Sequence, residues 1–211
     1  RVKKIYSGIS EKVSRPNEDE LENFRIQNKL PKKFILFLGK LEPRKNIPTL
    51  IKAFGRLKDA SNFSDLYLVI AGAKGWLFKD IFKEAQNSSH RNRIIFKDYI
   101  EDENKKFYYS LASAFVYTSF FEGFGFPPLE AMACGTPVIV SNNSSLPEVV
   151  GNAGILADPY NAVDISNALK EILEKDSFRK TLQTRGYERV KSFNWKRCAE
   201  QTMDVILGKK L

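Results

Sequence analysis

A doubly wound α/β fold, with a parallel sheet of about six strands, is what this sequence predicts, and three of its features carry the expectation. Short, continuous apolar runs recur along the chain, as strands buried on both faces require. Between them stand segments whose apolar residues return at helical spacing. Glycine-bearing turns follow several of the apolar runs, where a parallel strand hands the chain over to a helix.

Taken in order, residues 18 to 28 (EDELENFRIQN) predict a helix with acids in its first turn, broken before Pro31. Phe34 to Leu38 is the first strand, followed by the turn GKLEPRKN, Gly39 to Asn46. Asn46 is placed to cap a helix whose inner stripe is Ile47, Leu50, Ile51, Phe54 and Leu57. Leu66 to Gly72 is a second buried strand. Lys74 to Gln86 is read as a helix with Trp76 as packing, and Arg93 to Ile100 contains a third strand. Asp102 to Ala112 follows as a helix, and the acidic run Glu101 to Glu103 is its solvated start. The fourth strand is Phe115 to Ser119, the fifth Thr136 to Val140, and a short sixth lies around Ile155 to Leu156. Asn161, with Asp164 three residues on, caps a helix lined by Val163, Ile165, Ala168, Leu169, Ile172 and Leu173. A last helix gathers Trp195, Cys198, Ala199, Thr202, Met203 and Ile206 on one stripe. His90, in the polar loop NSSHRNR, is read as exposed and is given no role. With no internal repeat and no low-complexity segment, residues 1 to 211 are read as one domain.

Composition narrows the function. The chain carries 34 basic and 25 acidic residues, a net charge of +9. Such an excess suits a nucleic acid, an anionic membrane surface or a polyphosphate ligand. The lysines are spread, however, with no dense basic run and no nucleic-acid module, so nucleic acid is the reading set aside. Cys134 and Cys198 are far apart and form no CxxC, which argues against a disulfide framework or a zinc site and fits a reducing, cytoplasmic setting. No apolar run approaches the roughly eighteen residues that would cross a bilayer, and no signal peptide opens the chain. Contact with the inner face of a membrane stays compatible with the charge.

The chemistry is concentrated between Phe115 and Val140, FVYTSFFEGFGFPPLEAMACGTPVIV. The stretch reads as strand, turn, short helix and strand. Gly123 and Gly125 loosen the turn, Pro127 and Pro128 suit only a helix's first turn, and Gly135 suits its end. A helix entered through glycines turns unpaired N–H groups and a positive dipole end toward the turn, a ready phosphate site. Glu122 and Glu130 frame it. The earlier turn, GKLEPRKN, stands where a dinucleotide fold would carry GxGxxG, but the glycine triplet is missing and Lys40, Arg44 and Lys45 follow Gly39 instead. That weakens a nicotinamide-dependent dehydrogenase and favours cationic capture of a diphosphate. With one histidine and no Asp-x-Asp, no metal is required. Tyr99, at the end of the third strand, is read as core before base-stacking, and Ser144 and Ser145 as helix caps.

The spacing Glu-x7-Glu filled by GFGFPPL, continued through EAMACGTPVIVS and SSLPEV, resembles the signature of retaining GT-B glycosyltransferases of the large group-4 family, the glycosyl transferases group 1. Together with PRKN and AGAKGW it resembles the mannosyltransferase-like branch used in O-antigen and capsule synthesis. The resemblance implies a Rossmann-like C-terminal half of a GT-B enzyme that binds a nucleotide sugar, GDP-mannose favoured over a UDP-sugar, without metal. The acceptor, a glycan or lipid-linked saccharide, would be held by a first domain. RVKKIYSGIS would be the linker and first strand of the second half, with Ser7 replacing the family's Asn. Residues 193 to 211 would form the helix that crosses to the first domain. By the same resemblance Lys45 holds the pyrophosphate, with Lys40 standing where the family carries Arg. Glu130 meets the ribose hydroxyls and Glu122 the transferred sugar, so Glu122 and Lys45 are the catalytic candidates. Gly39, Arg44, Gly72, Tyr99, Gly123, Phe124, Gly125, Phe126 and Leu129 complete the expected donor site. Asp98 replaces the glycine usual before the nucleobase loop. Two other readings stand beside this one: a non-catalytic nucleotide-sugar-binding module, and a GT-B sugar-nucleotide epimerase.

Overall fold

The computed structural model describes residues 3–60 and 63–208. Among these residues, six strands form one parallel sheet in the order β3-β2-β1-β4-β5-β6, with β1 Lys33–Leu38, β2 Leu66–Ala71, β3 Ile94–Lys97, β4 Ala114–Tyr117, β5 Val138–Ser141 and β6 Gly154–Ala157. Strands β1, β2, β4 and β5 carry almost unbroken burial, because helices cover both faces of the sheet. The strand order reverses direction between β1 and β4, which pair through Ile35 with Ala114 and Leu36 with Phe115. The connections leaving these two strands diverge to opposite faces and open a crevice beyond their C-terminal ends.

Helix α1 (Glu18–Gln27) starts in a capping box in which Asn17 and Glu20 each take the other's backbone N–H. Helix α2 (Ile47–Ala60) buries the expected stripe Ile47, Leu50, Ile51, Phe54 and Leu57. It packs on α7 (Ala162–Glu174), where Asn161 accepts from the amides of Val163 and Asp164. The carboxylate of Asp164 instead accepts from the amide of Asp158, so the reciprocal half of that cap is absent, and Val163 is exposed. The remaining α-helices among the described residues are α3 (Lys79–Asn87), α4 (Asp102–Leu111), α5 (Phe126–Ala133), α6 (Leu146–Val150), α8 (Asp176–Val190) and α9 (Trp195–Ile206).

Several expectations are corrected. The helix expected from Lys74 begins only at Lys79, because Lys74 bridges to Leu41 and the Gly75 amide donates to the Leu41 carbonyl. Trp76 lies in that turn and is exposed, not packed. Residues 3 to 10 make no strand: Tyr6 packs edge-on against Phe193, and the Ile9 amide donates to the Phe193 carbonyl. Arg1 and Val2 lie outside the described residues. His90 is half-buried, its Nε2 2.8 Å from Asp59 Oδ1. The apolar stripe of α9 buries none of its residues, and Trp195, Met203 and Ile206 face outward. Among the described residues, no helix is long and apolar enough to cross a membrane.

Candidate functional site

The crevice between β1 and β4 is lined by the two turns singled out in the sequence. After β1 the chain makes one 3-10 turn, Pro43–Lys45, and leaves it at Asn46 in a left-handed conformation, φ 56°. Asn46 does not cap α2 with its side chain as expected. Its amide donates to the carbonyls of Thr118 at 3.0 Å and Pro159 at 2.7 Å, and its Oδ1 takes the Thr49 hydroxyl. One buried amide thereby ties the loops after β1, β4 and β6 together, leaving no buried polar atom of that side chain unpaired. The Phe120 amide donates to the Arg44 carbonyl, and Arg44 Nη1 to the Phe121 carbonyl at 2.7 Å.

This bracing brings Lys45, Arg44 and Glu122 into contact. Lys45 Nζ lies 2.7 Å from Glu122 Oε1, and Arg44 Nη1 2.8 Å from Glu122 Oε2. Lys45 and Glu122 are only 7% and 9% exposed, whereas Arg44 reaches solvent and also pairs with Glu42. Lys45 hydrogen-bonds the Tyr117 hydroxyl and stands 4.8 Å above that ring's centroid. Burial pushes the Glu122 carboxyl up, but the hydrogen bonds of Lys45 and Arg44 outweigh it and hold it below the ordinary glutamate range. Burial first, and the facing carboxylate second, raise the Tyr117 phenol, which stays protonated beside the lysine.

A depressed carboxylate stabilises the fold above its unfolded pKa, and that stabilisation disappears as pH falls through the folded value. Urea unfolding of the wild type and of Glu122→Gln should therefore draw together as pH falls from about 5 through the acid range. A gap that stays constant across that range would contradict the pairing.

The glycine turn follows directly. Glu122's amide donates to Ser144 Oγ at 3.2 Å, while the Ser145 hydroxyl donates to the carbonyls of Glu122 and Phe124. Both serines brace the turn from the neighbouring loop after β5; neither caps α6 through its side chain, although their place before that helix suggests caps. Gly125 takes φ 131°, and a Cβ there would stand 2.8 Å from Leu146 Cδ2, so both conformation and space ask for glycine. Among the described residues, no hydrogen bond uses the amides of Gly123, Phe124, Gly125 or Phe126. These donors, at the start of α5, remain open toward the turn. Leu129 is wholly buried in the core and supports α5 from behind.

Glu130 occupies a different wall. Its Oε2 accepts from the Tyr109 hydroxyl at 2.8 Å, and it opens onto a groove of about 920 Å³ with Lys12, Lys105 and Lys106. Tyr109 is wholly buried, and burial, then the Glu130 carboxylate, keep its phenol protonated as a donor. Neither Tyr109 nor Tyr117 was among the expected site residues. Tyr117 stands in an apolar strand and Tyr109 inside a largely polar helix, with nothing local to mark either. Gly39 and Gly72 meet back to back at the ends of β1 and β2, Lys40 is exposed beside them, and Tyr99 is 58% exposed, against its reading as core.

The sequence model of the family described as Glycosyl transferases group 1 matches residues 19–189. The O-antigen chain mannosyltransferase B of Escherichia coli is 39% identical over 172 residues, covering 82% of this chain and 45% of that protein. Among solved structures, the sucrose-phosphate synthase of Thermosynechococcus elongatus superposes with a TM-score of 0.82 at 30% identity, over 96% of this chain and 51% of that one. The Anabaena protein HepE, crystallised with UDP-glucose, shares the fold with a TM-score of 0.84 at 19% identity, over 97% of this chain and 57% of that one. The chain thus spans about half the length of the relatives it matches.

Proposed function

From the premise that the chain belongs to the glycosyl transferases group 1 family, we propose that it is the C-terminal, donor-binding half of a retaining glycosyltransferase. It binds a nucleotide sugar and transfers a hexose to a glycan or lipid-linked acceptor in cell-surface polysaccharide synthesis. Mannose from GDP-mannose is the favoured donor, since the E. coli relative is named for mannosyl transfer; a UDP-sugar is the alternative, since HepE holds one. The setting is cytoplasmic, at the inner membrane face, to which a chain of net charge +9 is attracted.

One observation carries the reading: Lys45 and Arg44 converge on Glu122 beside the unused amides of Gly123 to Phe126. Two cations and a row of N–H donors suit a diphosphate whose negative charge grows as the glycosidic bond breaks, and fixed charges of this kind supply a large share of catalysis. As the diphosphate arrives, its oxygens compete with the Glu122 carboxylate for Lys45 and Arg44. Glu122 is then released toward the hydroxyls of the transferred sugar, and Glu130, held by Tyr109, meets the ribose. Nucleophilic attack by Glu122 forms no part of the proposal; the leaving phosphate acts as the base on the same face, and no metal is needed.

Calorimetric titration with GDP, UDP, ADP and GDP-mannose, without metal and then with magnesium, tests this. Metal-independent binding of one diphosphate supports it and identifies the base. Binding without transfer by the whole protein would favour a binding module. Glu130→Ala should weaken the preferred diphosphate about tenfold, as loss of a charged hydrogen-bond acceptor does; unchanged affinity removes Glu130 from the ribose.

A further inference from the structure

Two aromatic rings stand clear of the core on the rim of this site. Tyr160 is 74% exposed and Phe121 63%. The Tyr160 ring stacks on Phe120 with centroids 4.9 Å apart and planes 23° from parallel, so one face is covered and the other is turned to solvent. The backbone beneath is held at each end. The Asn46 amide binds the carbonyls of Thr118 and Pro159, the Phe120 amide donates to Arg44, and the Tyr160 amide donates to Asp158 Oδ1 at 2.9 Å. A ring backed in this way, as that of Tyr160 is, loses little freedom when a ligand binds, which is the condition for useful affinity from a small contact.

The chemistry of the rim narrows the ligand. An aromatic face carries partial negative charge and packs well against polarised C–H groups, which the apolar face of a pyranose presents. The Arg44 guanidinium, which reaches solvent, supplies a polar contact for the sugar's hydroxyls. A docked protein domain would ask for about 800 Å² of complementary surface; two rings set among charged groups suit a sugar better. Position adds to this. Phe121 immediately precedes Glu122, and Arg44 Nη1 bonds both the Phe121 carbonyl and the Glu122 carboxylate. An acceptor hydroxyl must come within bonding reach of the sugar carbon that Glu122 attends.

We propose that Tyr160, backed by Phe120, is a stacking platform for a neutral pyranose of the acceptor, holding it beside Glu122, with the exposed Phe121 on the same turn. The proposal rests on the donor-site reading above, and the experiment separates the two. Saturation-transfer NMR of this chain with mannotriose as the probe should show transfer to the sugar-ring protons. Tyr160→Phe, which keeps the ring, retains the signal; Tyr160→Ala weakens binding about three- to tenfold. GDP and UDP are titrated into the same samples. Nucleotide affinity unchanged by Tyr160→Ala supports a platform outside the donor site, and a parallel loss of both overturns it. Silent mannotriose with intact nucleotide binding overturns the platform alone. Absent nucleotide binding overturns the donor reading.

Discussion

Replacing Lys45 with alanine should lower affinity for the preferred nucleoside diphosphate by about ten- to a hundredfold while leaving affinity for the bare nucleoside nearly unchanged. The asymmetry follows from position. Lys45 is buried at the turn after β1, and its ammonium faces Glu122 and Tyr117, beside the open amides of the glycine turn. A charged donor in such a site contributes more than one in water, and it contributes only to a ligand that carries phosphate. Removing it also deprives Glu122 of one partner. Arg44, 2.8 Å from the other carboxylate oxygen, keeps that charge paired, so the loss of stability stays below that of an orphaned buried ion. Nucleoside binding serves as the internal control for folding. Calorimetry showing equal losses for nucleoside and diphosphate would argue against a pyrophosphate contact.

Gly72→Ala should have the largest effect on the fold itself. A Cβ at this position would stand 2.0 Å from the Gly39 carbonyl oxygen, and the residue holds φ 142°, where side chains are strained. The obstacle is backbone that cannot rotate away, so the ends of β1 and β2 must part. The same loops are zipped by Leu41 to Ala73 and Gly75 to Leu41, and the first of them carries Arg44 and Lys45. A cost of roughly 3 kcal/mol or more is expected from urea unfolding, with nucleotide binding weakened alongside. Gly55→Ala provides the contrast. That glycine lies within α2 with nothing within 4 Å of its would-be Cβ, and alanine there should stabilise by about 0.5–1 kcal/mol. Similar midpoints for the two variants would refute the packing argument.

Much of this molecule is legible in its sequence. The strands announce themselves as unbroken apolar runs because helices cover both faces of the sheet. The stripe of α2, the cap at Asn161 and the glycine turn before α5 are also readable, since periodicity, capping and positive φ are settled within a few residues. The candidate residues Lys45, Arg44, Glu122 and Glu130 could be named from the same local patterns and the family resemblance. Their mutual arrangement could not. Lys45 and Glu122 are 77 residues apart, and Asn46 joins carbonyls 72 and 113 residues away. Ser144 and Ser145 look like caps locally, but the fold brings Glu122 and Phe124 within their reach, and that contact takes precedence. Trp76 and Tyr99 resemble core residues by type, yet the sheet ends before either can enter it. Tyr109 and Tyr117 gain their partners only when α4 and β4 pack beside the crevice. Local chemistry determines which backbone forms where; the partner of a buried charge is decided by which distant groups the packed sheet leaves within hydrogen-bonding distance.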